Sequence, residues 1–130
     1  MAFESVLVVD DDRAAVASVR AVLNGAGYAV YDARNGQRAL QWVMASPPDV
    51  VITAILMPDG DGIELITAAK GERPDLPIIA ISDRHLLRGL DLFKLATALG
   101  ADAVLPKPLE GETLVATVAG LIGATRATYG

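Results

Sequence analysis

The chain has 130 residues, of which 52% are apolar, and it carries 16 acidic against 11 basic side chains and no cysteine. This length fits one domain that buries a core without disulfide bonds or zinc. The lack of cysteine excludes a disulfide framework, thiolate metal sites and a thiol nucleophile. A formal charge of −5 with scattered basic residues argues against nucleic-acid binding, which usually needs a basic face.

The apolar stretches are too short to cross a bilayer. The longest uncharged ones, residues 50–57 and 113–125, fall well short of the roughly 20 residues that a membrane-spanning helix needs. The first residues show no signal sequence, because Glu4 stands where a basic segment would be expected. We therefore expect a soluble, cytoplasmic domain that contacts no membrane.

Two kinds of segment alternate along the chain. Short apolar runs, typical of buried strands, occupy residues 6–9, 29–31, 50–52, 78–81 and 103–105. Apolar residues recur at helical spacing over residues 15–23, 39–44, 63–69, 92–99 and 114–122. We expect one domain over residues 1–124 and a frayed tail over residues 125–130.

Five strands, each followed by a helix, predict an α/β fold with a doubly wound parallel sheet covered on both faces. Right-handed crossovers then favour the flavodoxin-like strand order 2-1-3-4-5. In such sheets the functional site lies at the carboxyl ends of the strands, beside the point where the strand order reverses.

Polar side chains stand at the ends of three of these predicted strands. The first strand is followed by Asp10-Asp11, the fourth ends at Ser82, and the fifth is followed by Lys107. Two adjacent carboxylates suit Mg²⁺, which keeps several waters and accepts phosphate oxygens. A lysine and a hydroxyl opposite them suit the remaining phosphoryl oxygens, so the pattern indicates a phosphoryl-transfer pocket. The third strand contributes Ala54, which has no functional group.

With these motifs in order, the chain resembles a response-regulator receiver domain of two-component signalling over essentially its whole length. The matching segments are Val8-Val9-Asp10-Asp11, residues 48–58, Asp61-Gly62, Ile81-Ser82, Gly100-Ala101-Asp102 and Lys107-Pro108-Leu109. The resemblance implies that Asp10, Asp11 and the backbone carbonyl of Leu56 hold Mg²⁺. It also implies that Ser82 hydrogen-bonds the phosphoryl group and that Lys107 pairs with it, with a cis peptide before Pro108.

The resemblance fails at the phosphoacceptor. Receivers of this kind carry an aspartate four residues before the proline of Met57-Pro58, and that position is Ala54. Alanine has no nucleophilic oxygen and cannot form an aspartyl phosphate. Side chains alternate along a strand, so the neighbouring Thr53 should face away from the pocket. A surrogate acceptor would be Asp10 or Asp11.

Other acidic residues near this position have simpler interpretations. Asp59 and Asp61 stand beside Gly60 and Gly62, which favours a turn and a helix cap. Asp12 directly precedes the first helical stripe and is expected to cap that helix. Mg²⁺ binding should be weakened, since one carboxylate is missing at position 54.

Two interpretations of Ala54 remain open. In the leading one, the chain is a stand-alone receiver of a phosphorelay whose acceptor was removed, because an idle pocket has no reason to keep the other site residues. Its partner would be a histidine kinase or a histidine phosphotransfer protein, with a homodimer possible. In the alternative, the chain is a natural pseudo-receiver that binds a partner without phosphorylation. Neither interpretation makes the chain an enzyme.

A flavin-binding protein or a small phosphatase on the same fold is a third hypothesis. A flavin site needs a loop rich in Gly, Ser and Thr after the first strand. Residues 10–12 are three aspartates, which repel phosphate unless a metal intervenes.

Two further departures bear on signalling. Many receivers place an aromatic residue that reorients on phosphorylation three positions before the lysine, where this chain has Val104. The segment from Ser82 to Gly100 is also a few residues longer than is usual, which would suit a partner surface or a mobile gate.

Overall fold

A parallel sheet of five strands forms the centre of the molecule. The structure is a computed structural model that describes residues 3–58 and 62–129. The predicted turn and cap at Asp59 and Asp61 lie outside these residues. The elements in chain order are β1 (Ser5–Val9), α1 (Arg13–Gly25), β2 (Ala29–Ala33), α2 (Gly36–Ala45), β3 (Val50–Ala54), α3 (Gly62–Glu72), β4 (Ile78–Ser82), β5 (Leu86–Leu87), β6 (Leu90–Asp91), α4 (Leu92–Leu99), β7 (Ala103–Pro106) and α5 (Gly111–Tyr129).

The strand order of the main sheet is β2-β1-β3-β4-β7, with every neighbouring pair parallel. Since β7 is the fifth strand of this sheet in chain order, the predicted order 2-1-3-4-5 is confirmed. The α/β flavodoxin-like fold class is confirmed with it.

The sheet separates two apolar clusters. One face buries Leu7, Val9 and Val51 against α2, α3 and α4. The other buries Val8 and Ile52, together with side chains from α1 and α5. Nearly continuous burial of β1, β3 and β4 explains why their sequences are unbroken apolar runs rather than alternating ones.

Polar side chains fix where several helices begin. Asp12 accepts hydrogen bonds from the backbone N–H groups of Ala14 (3.1 Å) and Ala15 (3.3 Å), so its predicted role as the cap of α1 is confirmed. Asp91 caps α4 in the same way through the N–H groups of Phe93 and Lys94, both at 3.1 Å.

Helix α5 continues to Tyr129 and so includes residues 125–129, the first part of the predicted tail. Thr125 stays in regular helix, where its hydroxyl donates to the backbone carbonyl of Leu121 at 3.0 Å. Gly123 follows the last apolar residue of the predicted stripe but does not end the helix.

The long segment after β4 contains a small antiparallel hairpin that the sequence analysis missed. Strands β5 and β6 pair Leu86 with Asp91 and Leu87 with Leu90. The turn residues Arg88 and Gly89 both have positive φ, 51° and 82°. Positive φ at both central residues is what a tight two-residue hairpin turn requires.

The outer strand β2 is engaged by an arginine from helix α1. The Arg20 guanidinium donates to the backbone carbonyl of Val30 at 2.7 Å and to the Asp32 carboxylate at 2.6 Å.

Among the described residues, no helix combines the length and the apolar character that a bilayer crossing requires.

Candidate functional site

The predicted site residues meet at the carboxyl edge of the sheet. Asp10 directly follows β1, Ala54 ends β3, Ser82 ends β4 and Lys107 directly follows β7. In the register, Val9 lies opposite Thr53, and the next step outward places Asp10 beside Ala54. Adjacent strands lie about 5 Å apart, so these two positions are immediate neighbours.

The central contact of this edge is an ion pair. The Lys107 ammonium lies 2.6 Å from Oδ2 of Asp10, whose side chain is only 1% exposed. The other oxygen of Asp10, Oδ1, accepts the backbone N–H of Asp12 at 3.0 Å. Both oxygens of the buried carboxylate are therefore engaged by the protein itself.

The peptide bond between Lys107 and Pro108 is cis, as the resemblance implied. The backbone N–H of Lys107 also donates to the carbonyl of Ser82 at 2.9 Å, which ties the loop after β7 to the end of β4.

Ala54 has no reactive side-chain group, and the neighbouring Thr53 does not supply one. Ala54 is buried among apolar residues of the cluster that faces α1 and α5. Thr53 is fully buried, and its hydroxyl donates to the backbone carbonyl of Ala54 at 3.0 Å. Because successive side chains of a strand point to opposite faces, Thr53 is expected on the face away from Ala54.

The Ser82 hydroxyl is used locally. It donates to the backbone carbonyl of Arg84 at 2.8 Å and accepts the backbone N–H of the same residue at 3.1 Å. Ser82 thus stands at the predicted strand end and closes a tight turn into the hairpin segment. The sequence analysis missed Arg84 as its partner, although short Ser-to-backbone contacts two residues apart are a common turn signal.

The donor set fits a divalent cation poorly. Asp11 and Leu56 are exposed beside the edge, and Asp10 is held by Lys107. Within residues 3–58 and 62–129, no group of three His, Cys, Asp or Glu side chains is arranged to hold a metal ion. Position 54 adds no donor, because Ala54 ends β3 with a methyl group.

A cleft of about 340 Å³ opens beside the ion pair, between helix α1 and the loop after β7. Its walls carry Ala14, Ala15 and Ser18 on one side and Pro108 and Leu109 on the other, and the acidic residues Asp12 and Asp83 also line it. Lys107 also lines it, so the cleft leads from the surface to the ion pair.

Comparison with known proteins identifies relatives over almost the whole chain. The model of the response regulator receiver domain family matches residues 6–119. The chain is 37% identical over 125 residues to the response regulator MprA of Mycobacterium tuberculosis, covering 93% of this chain and 51% of that protein. It is also 37% identical over 124 residues to MprA of Mycolicibacterium vanbaalenii, covering 92% and 51%. The chain thus spans about half the length of these curated relatives.

Solved structures agree on the fold. A response regulator receiver domain protein (CheY-like) from Methanospirillum hungatei JF-1 superimposes with a TM-score of 0.89 at 24% identity, covering 98% of this chain and 99% of that one.

Proposed function

Because the chain belongs to the response regulator receiver domain family, we propose that it acts in a two-component phosphorelay as a receiver that accepts no phosphoryl group at position 54. Receiver domains in general interact with histidine kinases or histidine phosphotransfer proteins and bind Mg²⁺. The single observation that carries the proposal is the methyl group of Ala54 at the end of β3, where an acceptor carboxylate belongs.

The neighbouring groups support this proposal. Phosphoryl transfer to a side chain needs a nucleophilic oxygen in line with the donor. The Thr53 hydroxyl is buried and bonded to the Ala54 carbonyl, and the Asp10 carboxylate is paired with Lys107. Asp11 is exposed at the surface rather than at the buried strand end. We therefore propose no surrogate acceptor.

The cleft beside Lys107 is the proposed contact for the histidine-bearing partner. Small side chains at Ala14, Ala15 and Ser18 let a partner helix approach α1 closely. The proposal places this contact in the cytoplasm, assigns the domain no enzymatic turnover, and requires neither nucleic acid nor a homodimer. Mg²⁺ binding is proposed to be weak, because the edge lacks its third carboxylate.

Restoring the acceptor tests the proposal. Ala54→Asp is expected to gain the mass of one phosphoryl group when it is incubated with acetyl phosphate and Mg²⁺, because the carboxylate stands beside Asp10 at the pocket. The unsubstituted chain and Ala54→Asn, which has the size of aspartate without its nucleophilic oxygen, should gain nothing. Phosphorylation of the unsubstituted chain would contradict the proposal.

A natural pseudo-receiver, which binds its partner without phosphorylation, is the second candidate. The observation that favours it is that Lys107 and Ser82 are both satisfied within the protein. A failure of Ala54→Asp to gain a phosphoryl group would favour this candidate. Partner binding by the unsubstituted chain, equal with and without acetyl phosphate, would support it further.

A further inference from the structure

Asp10 occupies an unusual position for an acid. Among the residues whose side chains the structure describes, it is the only charged one that is buried, with 1% of its surface exposed. A carboxylate removed from water is costly unless a countercharge and hydrogen bonds replace the lost solvation. The cation that balances Asp10 must therefore contribute substantially to the stability of the fold.

In this structure that cation belongs to the chain. The Lys107 ammonium lies 2.6 Å from Oδ2 of Asp10, and no hydrogen bond from the described residues reaches that oxygen, so the ion pair is its one polar contact among them. The Lys107 side chain is itself only 16% exposed, so solvent screens this pair little. The contact is close and largely removed from water, unlike an ordinary surface ion pair.

The residue at position 54 explains why the Lys107 ammonium is free to pair with Asp10. Ala54 is the register neighbour of Asp10, and it offers Lys107 no competing carboxylate. A divalent cation would need the same Asp10 oxygens that now bind the Asp12 amide and the Lys107 ammonium. Like charges exclude each other from one carboxylate, so lysine and metal compete for it.

We propose that Lys107 replaces the divalent cation at this edge, so that an internal ion pair satisfies Asp10 and closes the pocket to Mg²⁺. The inference rests on the proposed function only in taking position 54 to be uncharged. In this proposal Lys107 balances the charge of Asp10 and does not bind a phosphoryl group.

The test is to remove the ammonium and supply the metal. Lys107→Met keeps the length of the side chain and should lower the melting temperature without metal by roughly 10 °C, since it leaves Asp10 buried and unpaired. Millimolar MgCl₂ should then restore much of this loss, whereas NaCl at equal ionic strength should not. The melting temperature of the unsubstituted chain should respond to neither salt specifically.

Calorimetric titration gives a second readout. Lys107→Met should bind Mg²⁺ at least about tenfold more tightly than the unsubstituted chain, a difference of ~1.4 kcal/mol. Equal affinities in the two proteins would overturn the proposal, and so would a Mg²⁺-dependent rise in melting temperature of the unsubstituted chain as large as that of the variant.

Lys70→Met provides a matched control. Lys70 also pairs with an aspartate, Asp102, at 2.7 Å, and its side chain is 17% exposed, close to the value for Lys107. Its partner lies at the surface, away from the sheet edge. This variant should acquire no response to Mg²⁺; a response equal to that of Lys107→Met would contradict a specific role of Lys107.

The double variant Asp10→Asn/Lys107→Met covers the case in which Lys107→Met does not fold. It removes both charges, so it should be more stable than Lys107→Met in the absence of metal and should gain nothing from Mg²⁺. A double variant as unstable as the single one would overturn the proposal. None of these measurements involves phosphoryl transfer, so their outcome is independent of the test at position 54.

Discussion

At the scale of single residues, Asp91 shows how a carboxylate stabilises the segment that follows β4. Its Oδ1 caps helix α4, and its Oδ2 lies 3.4 Å from Nε2 of His85. The hydrogen bond from the Lys94 amide is the main reason that the pKa of Asp91 lies below its ordinary value of 3.8. The charged form is therefore favoured in the folded chain, and the cap depends on pH.

Asp91→Asn is expected to weaken the dependence of stability on acid pH. Because the pKa of Asp91 is lower in the folded than in the unfolded chain, its ionised carboxylate adds to the free energy of unfolding. This contribution is complete above about pH 3.8, the unfolded pKa, and is lost as the pH falls through the lower folded pKa. Asparagine caps a helix through its oxygen but carries no charge. Urea unfolding at neutral and acid pH should show a smaller acid loss of unfolding free energy in the variant.

The control for this measurement is Asp75→Asn, since Asp75 is an exposed acid in the turn between α3 and β4. Its substitution should leave the acid loss of unfolding free energy unchanged. A variant Asp91→Asn with the same acid loss as the unsubstituted chain would show that the cap does not contribute through its charge.

At the scale of elements, Gly62 sets the distance between α3 and the end of β3. A Cβ atom built on Gly62 would clash with the backbone carbonyl oxygen of Ala54 and lie 2.8 Å from that of Ile55. The Gly62 amide also donates to the Ile55 carbonyl at 3.0 Å. Helix α3 therefore begins in direct backbone contact with the strand that carries position 54.

Gly62→Ala is expected to lower the unfolding free energy by about 3 kcal/mol, because backbone on both sides must shift to admit a methyl group. Chemical denaturation measures this loss. Gly120→Ala is the matched control, since nothing lies within 4 Å of a Cβ at that position of α5. The control should gain up to about 1 kcal/mol from the better helix propensity of alanine. A neutral Gly62→Ala would contradict the close approach.

Sequence reasoning succeeded where burial alone determines structure. The unbroken runs that became β1, β3 and β4 are buried on both faces, so apolar patterning identified them as strands of a covered parallel sheet. Their order then followed from the right-handed crossovers of such sheets. It failed for β5 and β6, because a strand of two residues has no measurable alternation. Arg88-Gly89 also lacks the Asn-Gly or Asp-Gly sequence that usually announces such a turn.

At the site, too, part of the structure was predictable from the sequence and part was not. Which residues reach the edge was predictable, since each follows a recognisable strand. Which partner each one takes was not, because Asp10, Ser82 and Lys107 are joined by contacts across the sheet or by a local turn. Ala54 lies between Asp10 and the end of β4, and only the register of the assembled sheet reveals that neighbourhood.

At the scale of the whole molecule, charge determines how position 54 affects stability. The chain already carries a formal charge of −5, and the one buried charge among the side chains that the structure describes is a carboxylate at the sheet edge. A further carboxylate beside Asp10 would place two like charges in a poorly solvated region that holds one ammonium. Crowded carboxylates destabilise the folded state unless a cation joins them.

Ala54→Asp is therefore expected to lower the unfolding free energy by about 1–2 kcal/mol without Mg²⁺ and to regain part of it when Mg²⁺ is added. Thermal melting with and without the metal measures both effects. Ala54→Asn controls for the added volume and should show no Mg²⁺-dependent recovery. Equal melting temperatures with and without Mg²⁺, in both the Asp variant and the unsubstituted chain, would contradict this account of the edge.

The bond from Arg20 to the Val30 carbonyl has a consequence for how copies of the protein behave when concentrated. Strand β2 borders the sheet, and unpaired backbone groups along such a border invite strands of other molecules to add on. The guanidinium occupies one of these carbonyls and is held there by Asp32. The Arg20–Asp32 pair thus occupies one backbone carbonyl and places charge at this border, both of which disfavour the addition of a further strand to β2.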